Sequence, residues 1–109
     1  MARVLAISSD LLLGSKVEAM LRAAGHEVTM APGPDPAQLE GADLIVADLD
    51  ANDPTALVGH GIPVLGYYSH VNAETKQAAK AAGVDLAVPR SRMARELVTL
   101  AAGLLDSES

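Results

Sequence analysis

The chain has 109 residues, of which 50% are hydrophobic and 20% are charged, so it can build one core and is too short for two domains. Its formal net charge is −6 and it has no basic run, which argues against a nucleic-acid-binding or membrane-binding surface. Cysteine is absent, which excludes disulfides, zinc–thiolate sites and thiol nucleophiles, and with only a short apolar run near the start we expect a soluble, cytoplasmic protein.

The first part of the chain alternates between strand and helix. Residues 4–7 form a short apolar run typical of a strand, and residues 11–24 repeat apolar side chains at helical spacing. Gly25 predicts the end of this helix, and residues 26–30 predict a second strand. The prolines that follow leave room for a single helical turn in residues 36–40. The inward side chains of the first helix are predicted to be Leu13, Val17, Met20, Leu21 and Ala24.

The segment at the centre of this organisation, residues 43–50, is an apolar run that ends in carboxylates. Four consecutive apolar residues at 44–47 predict a strand that is covered on both faces, as in parallel sheets. Asp48 and Asp50 follow at its carboxyl end, where open α/β sheets bind their ligands. The alternative is that these carboxylates only accept backbone hydrogen bonds from the loop that follows.

The alternation continues after the central strand. Asp53 can cap a short third helix, and residues 62–68 predict the fourth strand. Residues 73–82 predict an amphipathic helix that is capped by Asn72 and ends before Gly83.

The end of the chain predicts one more strand and one more helix. The strand covers residues 85–88, a loop follows at 89–92, and the fifth helix runs over about 92–105. The acidic tail, residues 106–109, is expected to fray. Five strands alternating with helices over short connections predict a parallel sheet with helices on both faces.

Several segments, in this order, resemble response-regulator receiver domains, a family with the flavodoxin-like fold. The resemblance lies in residues 4–10, 23–28, 43–48, 62–64 and 81–85. It covers nearly the whole chain and implies one receiver-like domain, residues 1–109. The implied α/β fold is a three-layer α/β/α sandwich around a five-stranded parallel sheet of order 2-1-3-4-5, with short second and third helices.

The resemblance also implies where a phosphoacceptor site would lie. In the family, two acidic residues after the first strand and an acceptor aspartate bind Mg²⁺, a cation that prefers charged oxygen ligands. Asp48 stands at the acceptor position. Ser8 and Ser9 stand at the two acidic positions, and Asp10 is one residue further on. We therefore expect no bound cofactor, and the basis for Mg²⁺ is weak.

The residues that respond to phosphorylation in the family are also replaced. Tyr68 aligns with the hydroxyl residue that contacts the phosphoryl group, and Ser69 is its neighbour. Arg90 aligns with the lysine that ends the fifth strand, and it keeps the positive charge in a different geometry. Ala87 aligns with the aromatic switch residue. This pattern resembles pseudo-receivers, which keep the fold as an interaction module.

We therefore interpret the chain as an atypical receiver that acts in bacterial two-component signal transduction as a phosphorylation-independent signalling or protein-interaction module. One alternative is a genuine receiver phosphorylated at Asp48. The other is a small-anion-binding regulatory protein, because hydroxyls, arginines and helix N-termini converge at one sheet edge. Separately, Arg90 and Arg92 also suit a salt bridge with Asp48 or Asp50, which would hold the site in one state without a phosphoryl group. The candidate anion-site residues are Ser8, Ser9, Asp48, Ser69, His70, Asn72, Arg90, Ser91 and Arg92.

An enzyme is not expected, because the chain has no G-x-S-x-G elbow, no glycine-rich phosphate loop after its first strand and no metal-ligand spacing among its histidines. The expected partner is a protein, with neither nucleic acid nor membrane involved. A homodimer through the fourth and fifth predicted helices is also considered. Such an interface would be favoured if Met93, Leu97 or Leu104 were exposed.

Overall fold

The structure of the protein is a computed structural model that describes residues 2–8, 10–69 and 73–107. Within these residues, five strands alternate with four α-helices and one 3₁₀ turn. In chain order the elements are β1 (Arg3–Ile7), α1 (Leu11–Ala23), β2 (Glu27–Ala31), α2 (Pro36–Leu39), β3 (Leu44–Asp48), the 3₁₀ turn (Pro54–Ala56), β4 (Val64–Tyr68), α3 (Ala73–Ala82), β5 (Leu86–Pro89) and α4 (Arg90–Ser107). The predicted fourth and fifth helices are therefore α3 and α4.

The strands form one parallel sheet in the order β2-β1-β3-β4-β5, which confirms the predicted fold. The predicted short second and third helices are a four-residue helix, α2, and the 3₁₀ turn. As predicted, Asp53 caps that turn and Pro54 begins it. Gly25 and Gly83 follow α1 and α3 with φ of +94° and +100°, a conformation in which glycine has no steric cost. Asn72, the predicted cap of α3, lies outside the described residues.

The described core has two layers, one on each face of the sheet, because successive strand residues point to opposite sides. On the α1–α4 face, the sheet packs against Val17 and Leu21 of α1 and against Met93 and Leu97 of α4. The other side, here called the α2–α3 face, has Leu39, the 3₁₀ region and Ala79 over the sheet. None of the described helices combines the length and apolar character that crossing a membrane requires.

The predicted position of the last helix is wrong at its start. The loop predicted at 89–92 is helical from Arg90 onward, directly after Pro89. Position 90 lies on the same side of the helix as Met93 and Leu97. The helix start was predicted from the spacing of apolar residues, and Arg90 is polar, so this position was not recognised as helical.

Packing against the sheet determines which apolar side chains of the helices are exposed, and one position predicted to face inward is wrong. Met93 and Leu97 are completely buried in the core, and Leu104 is partly buried against it, so these residues offer little to a dimer surface. Conversely, Ala24, predicted to face inward, is exposed at the end of α1.

Candidate functional site

The candidate site lies at the carboxyl edge of the sheet, on the α1–α4 face. Asp48 is paired with Tyr67 across β3 and β4, and paired residues of parallel strands point to the same side. Ser8 follows Ile7, which pairs with Ala47, so it is the neighbour of Asp48 on the β1 side. Strand alternation thus brings three polar side chains together where the strands end.

Asp48 is integrated into a chain of hydrogen bonds that links two loops. Its side chain is only 5% exposed, and its Oδ1 accepts the N–H of Asp50 at 2.8 Å. The Asp50 carboxylate in turn accepts the N–H of Ser69 at 2.7 Å. The Asp48 carbonyl accepts a hydrogen bond from the Asn52 side chain at 2.9 Å. Asp48 thus accepts a backbone hydrogen bond from the loop that follows it, as the alternative interpretation has it, and Asp50 ties the β3 loop to the loop after β4.

Asp10 performs two functions with its two carboxylate oxygens. Its Oδ1 accepts the N–H groups of Leu12 and Leu13 at 3.0 and 3.2 Å and so caps α1. Its Oδ2 accepts a hydrogen bond from Nη2 of Arg90 at 2.7 Å. The Leu13 N–H and the Arg90 guanidinium hold the pKa of Asp10 below its usual range, and the bond to Asp10 raises the pKa of Arg90.

The arginines of the site do not form the ion pairs proposed from the sequence. Arg90 pairs with Asp10, not with Asp48 or Asp50, because Asp10 at the cap of α1 faces the start of α4. Arg92 pairs with Glu96 one turn along its own helix, at 3.2 Å. The arginines therefore do not form an open cationic pocket.

Ser8 and Tyr67 are buried on the same face of the sheet as Asp48. Ser8 is 8% exposed, and its hydroxyl donates to the Asp10 carbonyl at 3.1 Å and accepts the Asp10 N–H at 3.2 Å. Tyr67 is 1% exposed, and burial raises the pKa of its hydroxyl. Ser8 is thus part of a closed polar network.

The sequence analysis missed Tyr67 and selected Tyr68 instead. Tyr68 points to the α2–α3 face, where it packs in the core and is 4% exposed. Counting alternate residues along the strands would have placed Tyr67 on the same face of the sheet as Asp48. The role that the resemblance gives Tyr68 stays a prediction, and Ser69 contributes its backbone N–H to the site.

The described residues do not fit a divalent cation well. Among them, no three carboxylate, histidine or cysteine side chains come close enough to hold a metal ion. Ser8 brings no charge, and the carboxylate of Asp10 is already bonded to α1 and Arg90. Ser9, which aligns with the second acidic position, lies outside the described residues, as do His70 and Asn72 of the predicted anion site.

Comparison with known proteins places the fold. No protein-family model and no curated protein matches the sequence. Among solved structures, a CheY-like response-regulator receiver domain from Methanospirillum hungatei matches with a TM-score of 0.83 and 19% identity, over 99% of this chain and 96% of that one. The activated N-terminal receiver domain of Klebsiella pneumoniae RstA, bound to BeF3, matches with a TM-score of 0.78 and 16% identity, over 94% and 97%.

A longer protein also contains this fold. NtrX from Brucella abortus, in a complex with ADP, matches with a TM-score of 0.83 and 20% identity. The match covers 98% of this chain but 27% of NtrX. At these identities the likeness establishes the fold, and the chain has the fold of CheY-like response-regulator receiver domains, as the resemblance implied.

Proposed function

We propose that the chain is an atypical receiver domain that acts in the cytoplasm as a phosphorylation-independent protein-interaction module of a signalling pathway. The observation that carries this proposal is the chain of bonds from Asp48 through Asp50 to Ser69. These bonds hold the loops after β3 and β4 in one arrangement without any phosphoryl group. A module of this kind presents a constant surface to its partner.

The residues that would report phosphorylation support the same conclusion. The resemblance assigns contact with the phosphoryl group to Tyr68, but this side chain packs on the opposite face of the sheet from Asp48. Ser8, at an acidic position of the family, is bonded through its hydroxyl to the carbonyl and the N–H of Asp10. Receiver domains are generally signalling modules, and the proposal includes no catalytic activity.

The proposed partner is another protein, and a homodimer through α3 and α4 is the competing arrangement. The apolar side chains that would favour the dimer are in the core, and Val98, 40% exposed, is a large apolar side chain that α4 does present. Light scattering across a range of concentrations distinguishes a monomer, which we expect, from a dimer. Variant Val98→Glu should weaken any dimer formed through this helix.

The test of phosphorylation independence is an amide NMR titration with Mg²⁺ and then with beryllofluoride, using the Klebsiella RstA receiver as a positive control. We expect the amide signals of Asp48, Asp50 and Ser69 to stay in place. An Asp48→Asn variant provides the matched control. Shifts in the wild type that vanish in this variant would instead establish the alternative, a genuine phosphoacceptor at Asp48.

The phosphoacceptor alternative retains one observation in its favour, the position of Asp48 at the carboxyl end of β3. The small-anion alternative is less well supported, because Arg90 is already bonded to Asp10. A titration with inorganic phosphate separates the two. Loss of phosphate binding in Arg90→Ala but not in Asp48→Asn would indicate an anion site.

A further inference from the structure

We infer that Arg90 is a resident cation of the site, which takes the place that a divalent metal ion occupies in receiver domains. The inference goes beyond the proposed interaction role, because it concerns how the sheet edge balances its own charges. The two can fail separately: a metal-independent site does not require a protein partner, and an interaction module does not require a metal-independent site.

The first argument is the charge balance of the site. Asp10, Asp48 and Asp50 bring three carboxylates to this edge, and the guanidinium of Arg90 lies 2.7 Å from that of Asp10. Asp48 also favours the charged form of Arg90, and Arg90 and Asp48 both act electrostatically on Tyr67. The positive charge in this polar network is therefore supplied by a side chain, Arg90, and not by a bound ion.

The second argument is that other nearby cations are engaged elsewhere. Arg92 is paired with Glu96, and Nε of Arg95 donates to the Ser91 carbonyl at 3.3 Å. Among the described residues of the α4 start, Arg90 is thus the one whose guanidinium reaches this network. Its planar donor fork suits a carboxylate that already caps a helix.

The third argument is that contacts other than the ion pair itself fix the positions of Arg90 and Asp10. Arg90 is the first residue of α4, which is anchored through the fully buried Met93 and Leu97. Asp10 is the N-cap of α1, and its backbone is bonded to Ser8 on both sides. An exposed ion pair usually gains little because two long side chains must be ordered. Here only the Arg90 side chain needs ordering, and it is 32% exposed.

The consequence for metal binding follows from the same charges. A Mg²⁺ ion would have to displace the guanidinium from Asp10 while gaining no new carboxylate from Ser8. Without the arginine, Asp10 and Asp48 would be left as two unbalanced carboxylates, and Mg²⁺ sites in proteins often use one or two carboxylates with water. Removing Arg90 should therefore create an affinity for Mg²⁺ that the wild type lacks.

The experiment measures Mg²⁺ binding by titration calorimetry and thermal unfolding with and without millimolar MgCl₂. The variants are Arg90→Met, which keeps most of the apolar stem, Arg90→Lys, which keeps the charge, and Arg95→Ala, a matched loss of positive charge on the same helix. We expect the wild type, Arg90→Lys and Arg95→Ala to show no Mg²⁺ response. Arg90→Met should bind Mg²⁺ at least about tenfold more tightly than the wild type, because a nearby positive charge is gone.

Further variants identify the ligands and guard against a folding failure. Asp10→Asn combined with Arg90→Met keeps a helix-capping side chain and should abolish the gained affinity. If Arg90→Met unfolds without metal, Mg²⁺ should restore its folded circular dichroism spectrum. Wild-type protein that binds Mg²⁺ as tightly as Arg90→Met would overturn the inference, and so would an Arg90→Met variant that folds and gains no Mg²⁺ affinity. Neither result depends on the response to beryllofluoride.

Discussion

Replacing Gly66 by alanine should destabilise the protein through a direct overlap with Leu49. A Cβ atom on Gly66 would lie 2.6 Å from Cδ1, 2.7 Å from Cγ and 2.9 Å from Cδ2 of Leu49, and real Cβ contacts essentially never fall below 3.0 Å. Leu49 is 6% exposed, and its N–H donates to the Tyr67 carbonyl at 2.8 Å. Because this backbone bond holds Leu49 over β4, its side chain must leave its place in the core.

The expected cost of Gly66→Ala is about 1–3 kcal/mol in the free energy of unfolding, as for other insertions of a methyl group into a packed core. In a domain near this size each kcal/mol lowers Tm by roughly 4–8 °C. Urea unfolding followed by circular dichroism measures the change, and the midpoint should fall while the slope with denaturant stays the same.

A double-mutant cycle tests the cause. Leu49→Ala alone should cost about 2–5 kcal/mol, and it removes the atoms that the new methyl group meets. Gly66→Ala should therefore cost much less in the Leu49→Ala background than in the wild type. Gly66→Ala with wild-type stability, or costs that simply add in the double variant, would refute this reasoning.

Four other predictions concern single positions. Gly103→Ala should stabilise the protein by about 0.5–1 kcal/mol in urea unfolding, because Gly103 is an exposed position of α4 with open space around it. The pKa of Asp10 is lowered, so its contribution to stability is present above about pH 4 and lost as pH falls further; in urea unfolding Asp10→Asn should be less stable than the wild type above that pH, and the two stabilities should converge below it. The pKa of Tyr67 is raised, so its contribution to stability is present below about pH 10 and lost as pH rises; in phenolate absorbance, Tyr67→Phe should remove a titration that lies above the ordinary tyrosine range. Asp50→Ala should accelerate hydrogen exchange at the Ser69 amide, which loses its carboxylate acceptor, and an unchanged rate would show that this bond does not hold the loop.

Most of the fold could be predicted because local patterns and packing agree. The apolar run at 44–47 is buried on both faces, and the glycines after α1 and α3 end those helices where predicted. The sheet order came from the family resemblance, since alternation of strands and helices does not determine which strands are neighbours. The first residue of α4 was predicted wrongly, because Arg90 occupies a core-facing position with a polar side chain. The partner of that side chain, Asp10, is in another part of the chain.

Only those site residues that lie at the ends of predicted strands could be placed from the sequence. Strand ends place Asp48 and Ser8, but the ion pair between Asp10 and Arg90 joins residues that are 80 positions apart. Local sequence patterns cannot predict a contact between residues so far apart in the chain. Tyr67 was missed because family alignment selected its neighbour Tyr68, and one step along a strand moves a side chain to the opposite face.

The contacts that specify the site also hold the fold together. Asp10 caps α1 with one oxygen and bonds Arg90 at the start of α4 with the other, so the position of each helix depends on the same carboxylate. A rearrangement at Asp10 would therefore uncap a helix and break an ion pair at once. Substitutions at Asp10 should therefore change stability and site structure together. Substitutions at Asp50, which caps no helix, should change the loop after β4 alone.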